Sequence, residues 1–198
     1  MKTSEIAALD AFLAVIAISV IILLHELGHM FAAKKFGART NSITLHCYGG
    51  LAAINTNDWP ALLNKPRRSL LVWLAGPMVN IVLAGLIFIL FRPFGLRSPL
   101  IDHPTLLRYF AYLFDVNVVL AVFNLMPVFP LDGGGALYSV LRMITTKARA
   151  IRITSVVGII GSIGFIIGAV FLKAPMLGFI GVMALLASYT APKHPLYM

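Results

Sequence analysis

IAALDAFLAVIAISVIILLHELGHMFAAKKF, residues 6–36, is an apolar run that turns ionisable without ceasing to read as a helix. Its first nineteen residues, 6–24, carry one charge, Asp10, and at 1.5 Å per residue they reach across a hydrocarbon core of about 30 Å. The same helix then enters His25-Glu26-Leu27-Gly28-His29, an H-E-x-x-H pattern. A spacing of four residues stacks the two imidazoles on one helix face, so both can bind one Zn²⁺, and the carboxylate beside the first can serve as general base toward a water on the metal. A polar pair satisfied by packing or capping is the bland alternative. It would have to explain three ionisable groups within five residues of a lipid-facing helix, where charged groups cost several kcal/mol.

Working outward, the whole chain of 198 residues is 60% apolar and only 12% charged, with a mean hydropathy of +0.92, which excludes an ordinary soluble domain, a disordered chain and a disulfide scaffold. A single cysteine, Cys47, excludes an intrachain disulfide and a four-thiolate metal site. Four further stretches are long enough to span: 69–91, 109–127 with only Asp115, 153–172, and 174–192, the last two separated by Lys173. The expected architecture is all-α and polytopic, with about five transmembrane helices in a single membrane-embedded domain. Residues 42–55 alternate weakly around Gly49-Gly50 and read as a short β-hairpin or re-entrant loop. Residues 136–144 read as a short helix on the cytoplasmic side. The first span lacks the basic flank and small-residue cleavage site of a signal peptide and is expected to be retained.

Sixteen Lys and Arg against seven Asp and Glu give a net charge of +9, which in a soluble protein would suggest nucleic acid. Here the bases lie between spans rather than on one patch, so the reading is no nucleic acid and a lipid bilayer as partner. Six fall between the first two spans and four between the third and fourth; with Lys193 they place eleven on one side. Lys2, Arg92, Arg97, Arg108 and Lys173 lie on the other. The positive-inside rule then puts the N-terminus outside and the C-terminus in the cytoplasm.

Two histidines leave a catalytic zinc one protein ligand short. Asp132 is the best third ligand: it follows Asn124-Leu125-Met126-Pro127-Val128-Phe129-Pro130-Leu131, whose prolines should end the third spanning helix, and it precedes three glycines. Asp115 is the runner-up and Asp10 a distant third. An N-cap role for Asp132 on the helix that follows is the competing reading.

Taken in order, His25-Glu26-Leu27-Gly28-His29, Gly49-Gly50, Gly76-Pro77 with Asn80, and residues 124–134 resemble the signatures of the site-2 protease family of intramembrane zinc metalloproteases. The resemblance covers about residues 8–140, leaving 150–192 as accessory helices. It implies that His25, His29 and Asp132 bind zinc and that Glu26 activates water. It further implies that Asn124 helps to position substrate or stabilise the oxyanion, that the Gly49-Gly50 loop lies near substrate, and that Asn80 supports the core. Gly135 stands where many members have Arg, and neither a PDZ-like insertion nor a CBS-like domain is visible in these residues.

The expected activity is hydrolysis of peptide bonds within or near transmembrane segments of membrane proteins, single-pass ones by resemblance, in regulated intramembrane proteolysis. With Glu26 nine residues before Lys35, the site would lie about 13 Å inside the cytoplasmic face. The alternative from another class is a membrane metal-ion transporter or metal-binding protein using the same His and acid cluster, which has no need of a general base beside His25.

Overall fold

The computed structural model describes residues 3–38, 40–46, 49–54, 59–91 and 104–194. Residues 47–48, Lys2, and the segment with Arg92 and Arg97 lie outside the described residues. Helix α1 (Thr3–Lys35) is followed by two antiparallel strands, β1 (Thr40–His46) and β2 (Gly49–Ile54), in which Leu45 pairs with Gly50 and His46 with Gly49. Then come α2 (Trp59–Leu63), α3 (Pro66–Phe91), α4 (Pro104–Asn124), α5 (Asp132–Ile144), α6 (Lys147–Phe171) and α7 (Pro175–Thr190), closed by one 3₁₀ turn at Ala191–Lys193.

Local chemistry sets these boundaries. Proline opens α3, α4 and α7, a position where its missing N–H is no loss. Gly37 ends α1 with a φ of 87°, and the following amide of Ala38 returns to the Ala33 carbonyl at 3.1 Å, the left-handed cap that glycine allows. Thr146 caps α6 by accepting from the Arg149 amide. Helix α5 begins at Asp132, four residues earlier than the sequence predicts, because the glycines after it are packed as helix rather than as loop.

Helix α3 is the hub. It packs against α1 on one side, α4 on another and α5 at its start, while α1 and α4 scarcely touch each other. The α6–α7 hairpin joins this group through α5, and β2 runs against α1. Four helical stretches, Asp10–Lys35, Pro66–Leu90, Lys147–Phe171 and Pro175–Lys193, are long and apolar enough to cross a membrane.

The burial pattern is inverted relative to a water-soluble protein. The fully buried side chains include Asn80, Asn117, Thr154, Ser69, Ser139, Ser162 and Ser188, whereas large apolar groups such as Ile89, Ile160, Phe171 and Met176 face outward. Small and polar residues inside, with branched and aromatic ones outside, is how helices associate in lipid. The glycine stripe on α6 serves that packing in part: a Cβ at Gly158 would strike Ser188 of α7, and one at Gly161 would strike Val128, but Gly164 meets nothing within 4 Å.

Candidate metal centre

His25 and His29 occupy successive turns of α1 and are buried. Asp132 reaches them from the first turn of α5, 107 residues away in sequence, and is buried as well. Its Oδ2 lies 3.0 Å from Nε2 of His25 and its Oδ1 3.2 Å from Nε2 of His29, and the two Nε2 atoms are 3.2 Å apart. The Asp132 carboxylate thus meets the histidines, and the residue at the N-cap of α5 is Leu131, which makes no side-chain cap.

The outer nitrogens define what the inner ones carry. Nδ1 of His29 faces the backbone carbonyl of Val72 at 2.7 Å, and Nδ1 of His25 faces Oδ1 of Asn80 at 2.5 Å. Both partners are acceptors, so each Nδ1 carries the hydrogen and each neutral ring turns a lone pair inward at Nε2. Two imidazole lone pairs and a carboxylate converge with no hydrogen of their own to share. That donor set fits a cation: ligand atoms about 2.0–2.2 Å from a tetrahedral zinc stand about 3.3–3.6 Å apart, a few tenths of an ångström wider than the separations found.

Gly76 of α3 is part of the cradle. A Cβ there would lie 2.2 Å from Nε2 of His29 and 2.6 Å from Nε2 of His25, too close for either ring to keep its place. The third wall is the approach to α5. A Cβ at Gly133 would fall 2.2 Å from the Leu125 carbonyl, so only glycine lets the first turn of α5 press against the loop that follows α4. Further along α5, Ser139 bonds Ser69 of α3 at 2.9 Å and its own Gly135 carbonyl. Gly135 itself abuts the Trp73 indole, which fills the space a side chain at 135 would need.

Glu26 is half-buried, rotated from His25 by about 100° and from His29 by about 60° around the helix axis. Asn124, half-buried, is the last residue of α4, at the head of the loop that leads to Asp132. Gly49 and Gly50 open β2. The two weaker ligand candidates stand apart from the metal-capable group: Asp115 is exposed on α4, and Asp10 accepts from the Tyr109 hydroxyl at the opposite end of α1. Sequence reading missed Asn117, whose amide connects Asn80 to α4, and the Trp73–Gly135 contact. The signal for Asn117 was present, since it precedes Asn124 by two helical turns in an apolar segment and shares its face.

Comparison with known proteins bears on this geometry. A family model described as peptidase family M50 matches residues 13–97 and 93–168. A protein of Synechocystis sp. that bears a zinc-metalloprotease name, sll0528, is 36% identical over 156 residues, 77% of this chain and 36% of its own. The zinc metalloprotease MJ0392 of Methanocaldococcus jannaschii is 31% identical over 144 residues, 72% of this chain and 38% of its own. The chain therefore spans little more than a third of the length of these two relatives. Among solved structures, a site-2 protease from Methanocaldococcus jannaschii shares the fold with a TM-score of 0.63 at 24% identity, over 89% of this chain and 76% of that one.

Proposed function

The chain belongs to peptidase family M50, and from that premise we propose that it is an intramembrane zinc endopeptidase that hydrolyses peptide bonds within or near the transmembrane segments of other membrane proteins. The observation that carries this reading is the meeting of His25 and His29 with Asp132, from opposite ends of the catalytic core, directly beside Glu26.

In this reading His25, His29 and Asp132 hold the ion, which when bound supplies Lewis acidity to the scissile carbonyl and lowers the pKa of water. Glu26 takes the proton of the attacking water and passes it to the leaving amide nitrogen, so that one water and one peptide bond become a carboxyl and an amine. Asn124, at the end of α4, orients the substrate or stabilises the developing oxyanion. A transmembrane helix hides its carbonyls in its own hydrogen bonds, so the substrate must be drawn out as an extended segment. The hairpin of β1 and β2, lying along α1, offers an edge on which such a segment can add as a strand, with Gly49 and Gly50 nearest to it.

We count α4 as a fifth crossing beside the four apolar stretches, with the N-terminus outside, the C-terminus cytoplasmic, and the site about 13 Å inside the cytoplasmic face. A single-pass membrane protein is the substrate this layout suits, in regulated intramembrane proteolysis.

Glu26→Gln tests the assignment against a metal transporter built on the same ligands. Co-expressed with a tagged single-pass substrate, the variant should keep its zinc and lose about 10²- to 10⁴-fold in cleavage. Cleavage unchanged from wild type would defeat the proposal.

A further inference from the structure

On the reading of this site as a zinc centre, we propose that Asn117 is a positioning residue for the metal, holding His25 through Asn80 in the one tautomer that offers a lone pair to the ion. Asn80 alone cannot do this. A side-chain amide has an acceptor at one end and a donor at the other, and Asn80 could present either to the ring and suit either tautomer.

Asn117 removes the ambiguity. Its Nδ2 donates to the backbone carbonyl of Leu113 at 2.8 Å, and a carbonyl can only accept. That leaves Oδ1 of Asn117 facing Asn80, where it accepts from Nδ2 at 3.0 Å. Oδ1 of Asn80 is then the atom that meets Nδ1 of His25, and an acceptor there requires the ring hydrogen to sit on Nδ1. Each link is fixed by the one before it, back to a group that has no alternative state.

The two histidines reach the same condition by different routes. His29 refers directly to a backbone carbonyl, that of Val72 on α3; His25 refers to one on α4 through two amides. Both Asn80 and Asn117 are fully buried, so no water can stand in for a missing partner. The relay also ties α4, which scarcely touches α1, to the metal-binding face of α1. Groups that orient a ligating histidine in this way typically govern metal affinity by 10- to 100-fold.

The test uses the full chain in detergent micelles, with zinc affinity measured by competition against a chelator and thermal unfolding measured with the metal stripped. Asn117→Leu removes the acceptor and should weaken zinc about 10- to 100-fold, with the unfolding temperature of the stripped protein falling only by the few degrees that the loss of one buried hydrogen bond brings. Asn117→Asp presents an oxygen to Asn80 whether or not it is protonated, and should restore near-wild-type affinity. Should the leucine variant not fold, Asn117→Ser is read in its place, since a helical serine bonds its own preceding turn and is too short to reach Asn80. Wild-type affinity in the leucine or serine variant, or equal loss in the aspartate variant, overturns the relay. The zinc-centre reading fails separately, through a wild-type chain that binds no zinc or an Asp132→Ala variant that binds it as well as wild type does.

Discussion

Replacing Gly76 by alanine puts one methyl group against the imidazole nitrogens of His25 and His29 that face Asp132. The new Cβ would stand 2.2 Å from Nε2 of His29, 2.6 Å from Nε2 of His25 and 2.7 Å from Cε1 of His29. Ordinary contact between such atoms needs about 3.5 Å, so the rings or the α1–α3 packing must yield by roughly 1 Å. A metal site tolerates about 0.2 Å in its ligand distances, several times less than that displacement. The expected result is loss of zinc affinity by about 100-fold or more, the upper end of what a disturbed ligand orientation alone produces. The overpacking adds about 1–3 kcal/mol of destabilisation independent of metal. Gly85 is the control on the same helix, because a Cβ there meets nothing within 4 Å. Gly85→Ala should retain zinc and gain about 0.8–1 kcal/mol from helix propensity. Zinc content per purified chain and thermal unfolding with and without chelator separate the two effects. If Gly76→Ala holds stoichiometric zinc at wild-type affinity, the ion is not bound by His25, His29 and Asp132 together.

Three other outcomes follow from contacts elsewhere. Gly135→Arg should destabilise the chain by about 1–3 kcal/mol because its Cβ would fall 2.2 Å from the Trp73 ring, and adding Trp73→Ala should recover part of the loss in thermal unfolding. Tyr109→Phe deletes the bond to Asp10 and should cost about 0.6–2 kcal/mol with zinc affinity unchanged, since Asp10 lies four helical turns from His25; a change in affinity would mean that the two ends of α1 are coupled. Saturation with zinc at about 100 times its dissociation constant should stabilise wild type by about 2.7 kcal/mol, read as a chelator-reversible rise in unfolding temperature that Asp132→Ala does not show.

What the sequence made legible was decided by rarity. Ionisable groups are so few in the apolar segments that His25, Glu26 and His29 announced themselves, and the helical period placed both imidazoles on one face. Asp132 was harder, because nothing local distinguishes a ligand from a helix cap; its role depended on whether α5 would approach α1, and that is set by close contacts at Gly133 and Gly76 that a one-dimensional pattern does not express. Four of the five spans were readable from length and composition, but not their starts, since the helices open at Pro66, Pro104 and Pro175 rather than where the apolar runs at 69, 109 and 174 begin. The short α2 was not, since its five residues bear no periodic signal. Asn117 failed for a different reason: an amide in a spanning helix is as easily a packing bond as part of a site, and only its distance to Asn80 separates the two.

The donor set also bears on which ion the cradle takes. Calcium and magnesium prefer six or more oxygen ligands, and among the described residues the group offers one carboxylate and two imidazoles. Separations of 3.0–3.2 Å between the donor atoms suit a small ion with bonds near 2 Å. Copper would bind such nitrogens more tightly in water, so selection rests on geometry and on supply rather than on affinity. Geometry here is held from three directions: by the Val72 carbonyl behind His29, by the amide relay behind His25, and by the close seating of α5 that carries Asp132. Val72 and Asn80 are buried, so an ion bound by His25, His29 and Asp132 would meet imidazoles whose orientation the fold already sets.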